Sequence, residues 1–122
     1  MLRILSDFPD DVLAVSASGE ITAADYRDIL LPAIHAKLAG HKPLRVFYEI
    51  GPDFTGMQAG AMWEDAKLGF GHLGDLGRAA VVTDVGWIAT SMRLFAPLMR
   101  QPVRIFPLAR REEARRWLLE ET

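Results

Sequence analysis

The sequence predicts one α/β domain spanning residues 1–122, with a five-stranded, mixed and mostly parallel sheet and about four helices in the order ββαβαβαβα. Three observations carry that expectation. Strand-like and helix-periodic segments alternate along most of the chain, the pattern of crossover units. The run Ala79-Ala80-Val81-Val82 is apolar throughout, as a strand covered on both faces must be. A length of 122 residues suits a single domain, and no repeat, linker or low-complexity tract interrupts it.

Leu2–Leu5 and Val12–Gly19 flank the turn-rich hexapeptide SDFPDD and predict an antiparallel hairpin at one sheet edge. Thr22-Ala23-Ala24-Asp25 has the spacing of a capping box, with Ile21 and Tyr26 at the two staple positions around it. Tyr26, Ile29/Leu30, Ala33/Ile34 and Leu38 then recur at helical spacing until Gly40. Pro32 removes a backbone donor inside that helix, so a kink is expected near Asp28. Leu44–Ile50 reads as a strand ended by the breaker cluster Gly51-Pro52-Asp53.

A second amphipathic helix is marked by Ala59, Met62/Trp63, Ala66, Phe70 and Leu73, with Trp63 turned inward. Glu64, Asp65 and Lys67 would form its solvated face. A third helix carries Trp87/Ile88, Met92, Phe95/Ala96 and Met99 on one stripe, and Pro97 ends or kinks it. Val103–Phe106 is the fifth strand, and Ala114, Trp117 and Leu118 mark one face of the last helix. Right-handed crossovers place Leu44–Ile50, Ala79–Val82 and Val103–Phe106 as inner strands.

Composition excludes several classes of function. The chain has no cysteine, so it has no disulfide framework, zinc ribbon or thiol nucleophile. Its apolar stretches are shorter than the roughly 18 residues of a membrane span. Acidic residues come too early in MLRILSDFPDD for a signal peptide, so a cytoplasmic location is expected. A net charge of −2 offers no general attraction to nucleic acid. The charge is nevertheless uneven: residues 1–75 carry net −5 and residues 76–122 net +3. Arg78, Arg93, Arg100, Arg104, Arg110, Arg111, Arg115 and Arg116 supply that excess. They read as solvated faces and intramolecular partners, or else as a surface for an anion or acidic partner.

No catalytic residue, metal site or cofactor is expected. His35, His41 and His72 read as surface or helix-terminal residues, and no G-x-S-x-G, H-E-x-x-H or paired-His spacing occurs. Glu64 and Asp65 are adjacent and would point apart on a helix, which disfavours an acid/base dyad. Gly69, Gly71, Gly74 and Gly77 lie between a helix and a strand, the wrong order for a phosphate-binding loop.

Several phrases resemble the SpoIIAA-like family of STAS-like domains. They are SGEITAADYRDILLPAI (18–34), FTGM (54–57) with AMWEDAKLG (61–69), RAAVVTDVGW (78–87), and RIF (104–106) followed by ARRWL (114–118). The resemblance covers almost the whole chain and implies a STAS-like fold with helices packed mainly on one face of the sheet. That fold is shared with anti-sigma-factor antagonists and related to Sec14-type lipid-binding domains. In the antagonists, a Ser at the N-terminus of the helix after the third strand is phosphorylated. Thr55 is the hydroxyl in the matching stretch here, which otherwise departs from the family's Ser motif.

The resemblance implies a non-enzymatic protein-interaction or signalling module. A second reading is a carrier or sensor of a small apolar or lipid-like ligand held in a pocket between helices. A cavity between the second and third helices would favour the carrier, and a solid core with an exposed apolar patch the module. Surplus apolar helix surface also makes a homodimer an expectation. A ligand site is expected in the crevice beyond the carboxyl ends of the parallel strands. Thr55, Gly56, Asp84 and Trp87 would line its rim and Trp63 an apolar wall. Free helix-terminal amides there would suit an amphipathic carboxylate, unless Asp84 repels it.

Overall fold

The computed structural model describes residues 1–40, 43–71, 75–98 and 102–120. The strands are β1 (Leu2–Ile4), β2 (Val12–Ile21), β3 (Leu44–Met57), β4 (Leu76–Val82) and β5 (Val103–Phe106), in the spatial order β1-β2-β3-β4-β5. β1 runs antiparallel to β2, and every other pairing is parallel. The expected mixed sheet is therefore present, with one correction. β5 is an edge strand, not an inner one, because each strand adds beyond the one before it and β5 pairs with β4 alone among the described strands.

The first helical segment begins at Thr22, whose backbone N–H donates to Asp25 Oδ2 (2.9 Å) while Asp25 N–H donates to Thr22 Oγ1 (3.2 Å). Ile21 and Tyr26 are buried on either side of this capping box. The segment then runs through α1 (Ala23–Asp25), a π turn (Tyr26–Leu30) and α2 (Leu31–Leu38). The expected disturbance near Asp28 is this π turn. Pro32 cannot donate to the Asp28 carbonyl, and Leu31 N–H reaches back to the Tyr26 carbonyl instead. The wide turn also has a packing role. Tyr26, Leu30, Ile34 and Leu38 are all buried at four-residue spacing, which drifts by about 40° per step on a straight α-helix. A wider turn takes up part of that drift.

Helices α3 (Ala59–Gly71), α4 (Gly86–Phe95) and α5 (Arg111–Leu119) complete the fold, with a 3₁₀ turn at Ala96–Leu98 around Pro97. Spatial order equals chain order, so each crossover steps the same way along the sheet. Right-handed crossovers that never reverse direction place their helices on one face. α2, α3 and α4 therefore share a face, and α5, which connects to no further strand, covers the other. Alternation along the strands serves both layers. Leu13, Val15, Tyr48, Ile50 and Val81 face α2–α4, while Val12, Ala14, Phe47, Ala80, Val82 and Phe106 face α5.

β3 does not end at Ile50 as the breaker cluster suggests; it continues to Met57. Between the pairs Ala17↔Ile50 and Gly19↔Phe54, four steps of β3 oppose two of β2, which is a β-bulge. Pro52 sits in the extra residues, where no ladder hydrogen bond is asked of it. A second slip follows between Gly19↔Phe54 and Glu20↔Gly56. Gly19 (φ 58°) and Gly56 (φ 155°) take backbone conformations that other residues rarely adopt, and they let both strands bend there.

Candidate functional site

The α2–α4 face of the sheet is not filled. A cavity of about 350 Å³ lies between it and the helices. Val46 and Tyr48 of β3, Ala79 and Val81 of β4, and Val103 of β5 form its floor; Leu30 and Ile34 form one wall. Ala66 and Leu68 of α3 face Ile88, Met92 and Phe95 of α4 across it. Phe54 and Met57, beyond the bulge, close one end. Met62 and Trp87 both line the cavity and are 48 % and 47 % exposed, so they mark its opening between α3 and α4. The Trp87 ring stands 6.4 Å from that of Phe54. A volume above ~300 Å³, mostly apolar with a few converging polar groups, is what small-molecule sites have.

The converging polar groups are Tyr26, Tyr48 and Asp65. Tyr26 Oη donates to Asp65 Oδ1 (2.8 Å) and lies 3.3 Å from Tyr48 Oη. Since the Tyr26 proton goes to the carboxylate, Tyr48 donates to Tyr26. This relay ends on Asp65, whose other oxygen has no protein partner among the described residues. No buried side-chain polar atom there is unpaired, so that oxygen is not sealed within the protein, and Asp65 lines the cavity. Burial pushes the Asp65 carboxyl above its ordinary range, and the Tyr26 hydrogen bond offsets this only in part. Burial first, then the neighbouring oxygens, raises Tyr26 far above the normal phenol range. Burial raises Tyr48 as well. Both tyrosines stay neutral at any physiological pH.

Sequence placed none of these three residues in the site. Asp65 was expected on a solvated face with Trp63 inward, and the two are reversed. Ala61 is fully buried and Asp65 and Leu68 line the cavity, whereas Trp63 is 65 % exposed. The usable signal was Ala61-Asp65-Leu68, one helical row at i, i+4 and i+7 with a carboxylate in the middle. Tyr48 is in phase with Val46 and Ile50 on its strand, a second cue. Glu64 and Lys67 do pair at the surface (3.1 Å).

Of the five residues assigned to the crevice, Trp87 alone borders the cavity. Thr55 is exposed and Gly56 half-buried within β3, not at a helix N-terminus. α3 begins four residues beyond Thr55, after Gln58, whose carbonyl accepts from Met62 N–H (3.0 Å). Asp84 is exposed and accepts from Leu108 N–H (3.1 Å), so it ties the end of β4 to the approach of α5 and does not cap α4. The physical reason is topological. A crevice at strand ends needs a point where the strand order reverses, and this sheet has none. The open space lies under the helices instead.

The arginines of the second half are largely spent within the molecule. Arg78 and Arg104 lie over the Trp117 ring, at 5.5 and 5.3 Å, Arg111 lies over Phe47 and Arg115 over Phe8. Arg111 Nε also meets Glu49 Oε1 at 3.0 Å, and Arg110 pairs with Glu113. Arg93 and Arg116 are exposed. His35 is exposed as expected; His41, His72, Leu73, Gly74, Met99, Arg100 and the Phe70 side chain lie outside the described residues. No helix among the described residues is long and apolar enough to cross a membrane.

Comparison with known proteins agrees with this architecture. An uncharacterised protein from the DUF3478 family with a SpoIIAA-like fold, from Shewanella loihica PV-4, superposes with a TM-score of 0.77 at 24 % identity. The match covers 96 % of this chain and 93 % of that one. That likeness speaks for the fold alone. No protein with a curated description matches. The family model described as SpoIIAA-like matches residues 12–119, and with nearly the whole fold inside that match, the chain belongs to the SpoIIAA-like family.

Proposed function

We propose that this protein binds a small, mainly apolar molecule in the cavity between the sheet and α3/α4, as a carrier or sensor. The observation that supports the reading is the hollow itself. Protein interiors pack as densely as organic crystals, and voids larger than a water molecule are few. A lined space of about 350 Å³ under an otherwise regular sheet is the expected form of a binding site. Its apolar walls suit a hydrocarbon or aromatic body, and Met62 and Met92 adapt their shape to one.

An amphipathic carboxylate no longer fits best. Among the described lining residues there is no Lys, Arg or His to receive it, and Asp65 would repel it. Native mass spectrometry of freshly purified protein tests the reading by reporting a bound small molecule and its mass. Titration with medium-chain amphiphiles should change tryptophan emission, and Trp87→Phe should blunt the change. Constant emission and constant melting temperature across such a panel would leave no ligand role for the cavity.

A second reading, the protein-interaction module, draws support from the outer surfaces of α3 and α4. Trp63 of α3, Leu94 of α4 and Leu98 of the 3₁₀ turn after it are more than half exposed. A sensor needs such a surface next to its ligand, so the two readings are compatible.

A further inference from the structure

The hollow has one carboxyl in its described wall and no Lys, Arg or His, and that carboxyl has no cation among the described residues. Among the described residues Asp65 receives a single hydrogen bond, from Tyr26, and forms no ion pair. Elsewhere in the molecule the partly buried acids are provided for: Glu49 has Arg111, Glu64 has Lys67, and Asp25 has the Thr22 cap. A carboxylate withdrawn from bulk water without a partner is costly, and it stands out against that pattern. Its other oxygen is an acceptor. Tyr48 Oη, having given its proton to Tyr26, is another acceptor beside it. Ser91 adds no donor, because its hydroxyl is already given to the Trp87 carbonyl (2.9 Å). The polar end of the cavity therefore accepts hydrogen bonds, and the charge it can carry is negative.

We propose that the cavity selects a molecule with a protonated amine at one end of an apolar body, the ammonium pairing with Asp65 and donating to Tyr48. This rests on the cavity being a ligand site and adds the chemistry of the ligand's head. An ammonium supplies what the wall lacks: donors for both acceptors and a charge opposite to that of Asp65. The phenol rings of Tyr26 and Tyr48 add aromatic surface next to the same point. Asp65 lies one helical turn from Met62 at the opening, so the head group reaches its partner without crossing the apolar depth of the cavity. The apolar body then extends over Val81 and Val103 towards Met92 and Phe95. An alcohol would make one or two of the same hydrogen bonds without the charge. A carboxylate would meet only acceptors.

The test compares three molecules of equal chain length, decylamine, decanol and decanoate, below their micellar concentrations. Affinities are measured by calorimetry on the intact protein, with Asp65→Asn and Tyr48→Phe as variants. Both substitutions keep the shape of the side chain, and circular dichroism checks that each variant is folded. The amine should bind about tenfold or more tightly than the alcohol, the scale of one charge-assisted hydrogen bond. It should exceed the acid by a larger factor. Asp65→Asn should remove the advantage of the amine, weakening it far more than decanol, and Tyr48→Phe should weaken the amine by a smaller factor. Decanoate binding as tightly as decylamine overturns the inference and leaves the cavity as a binding site. An amine preference that survives Asp65→Asn overturns it too. If none of the three binds, the ligand reading fails, and this inference with it.

Discussion

On the α5 side of the sheet, Val12, Ala14, Phe47, Ala80, Val82 and Phe106 meet Ala114 and Leu118, and none is more than 3 % exposed. On the opposite side, the alternate residues of the same strands border a hollow of about 350 Å³. The contrast separates two uses of one sheet. The α5 face is closed by Ala114, Trp117 and Leu118 on the helix, aromatic rings on the strands and guanidinium groups laid over those rings. Every atom there has neighbours, so dispersion and burial act in full. The α2–α4 face gives up part of those contacts where α3 and α4 stand off the strands. Stability is concentrated on one side, and room for a guest on the other.

The strongest way to break this comparison is to truncate a large side chain on each face. Phe47→Ala removes a ring centred 4.6 Å from that of Phe8 and covered by Arg111, and should cost about 3–5 kcal/mol in urea unfolding. Met92→Ala, which only enlarges the hollow, should cost about 1 kcal/mol. Equal losses would mean that the two faces are packed alike. The reverse substitution sharpens the point. Ala80→Leu overfills the closed face and should lose about 1–3 kcal/mol. Ala79→Leu, one residue away, projects into the cavity; its melting temperature should hold or rise while ligand uptake falls.

A smaller effect lies at the edge of the closed face. Glu49→Gln breaks the partly buried pair with Arg111 and should cost roughly 1 kcal/mol, less as salt is added.

The subtlest expectation concerns pH. Burial raises Asp65, so the folded state holds its proton to higher pH than the unfolded state. Its contribution to stability is full below the ordinary value of 3.8 and is lost as pH rises through the raised value. Asp65→Asn removes that loss, so the variant should gain on wild type as pH rises across this window, then run parallel to it. Burial also pushes Asp25 up, but the hydrogen bonds from Thr22 outweigh it and leave the carboxyl below 3.8. Its contribution is present above 3.8 and lost as pH falls through the lowered value. Asp25→Asn should therefore lose stability at neutral pH and converge with wild type in acid. Thermal melts between pH 3 and pH 8 read both signs (about five units, wide enough for either carboxyl range).

The α5 face and the element order were legible because both rest on local signals. The box at Thr22 and Asp25, the row Ala114-Trp117-Leu118 and the apolar run at Ala79–Val82 each announce themselves within a few residues. The continuation of β3 was not legible. Gly51-Pro52-Asp53 would end a strand standing alone, and only its pairing with Gly19 across the sheet turns it into a bulge. Trp63 misled because size was taken as the mark of the inner face, when Ala61 and Leu68 set that face. Tyr26, Tyr48 and Asp65 come from three elements far apart in the chain, and nothing near any one of them announces the other two. Sites assembled by tertiary contact leave little trace in spacing.

The sequential order of the strands also shapes how the chain is born. As synthesis proceeds, β2, β3, β4 and β5 each emerge next to a partner already made, and α3 and α4 settle in between. The hollow face can thus take its form before α5 is made. The other face must wait for α5, which leaves Phe47, Ala80, Val82 and Phe106 open to water until that helix emerges. Transiently exposed apolar surface is what draws chains into aggregates. A nascent chain stalled just before Arg111 would display a bare, adhesive sheet face, and release of α5 is the step that covers it.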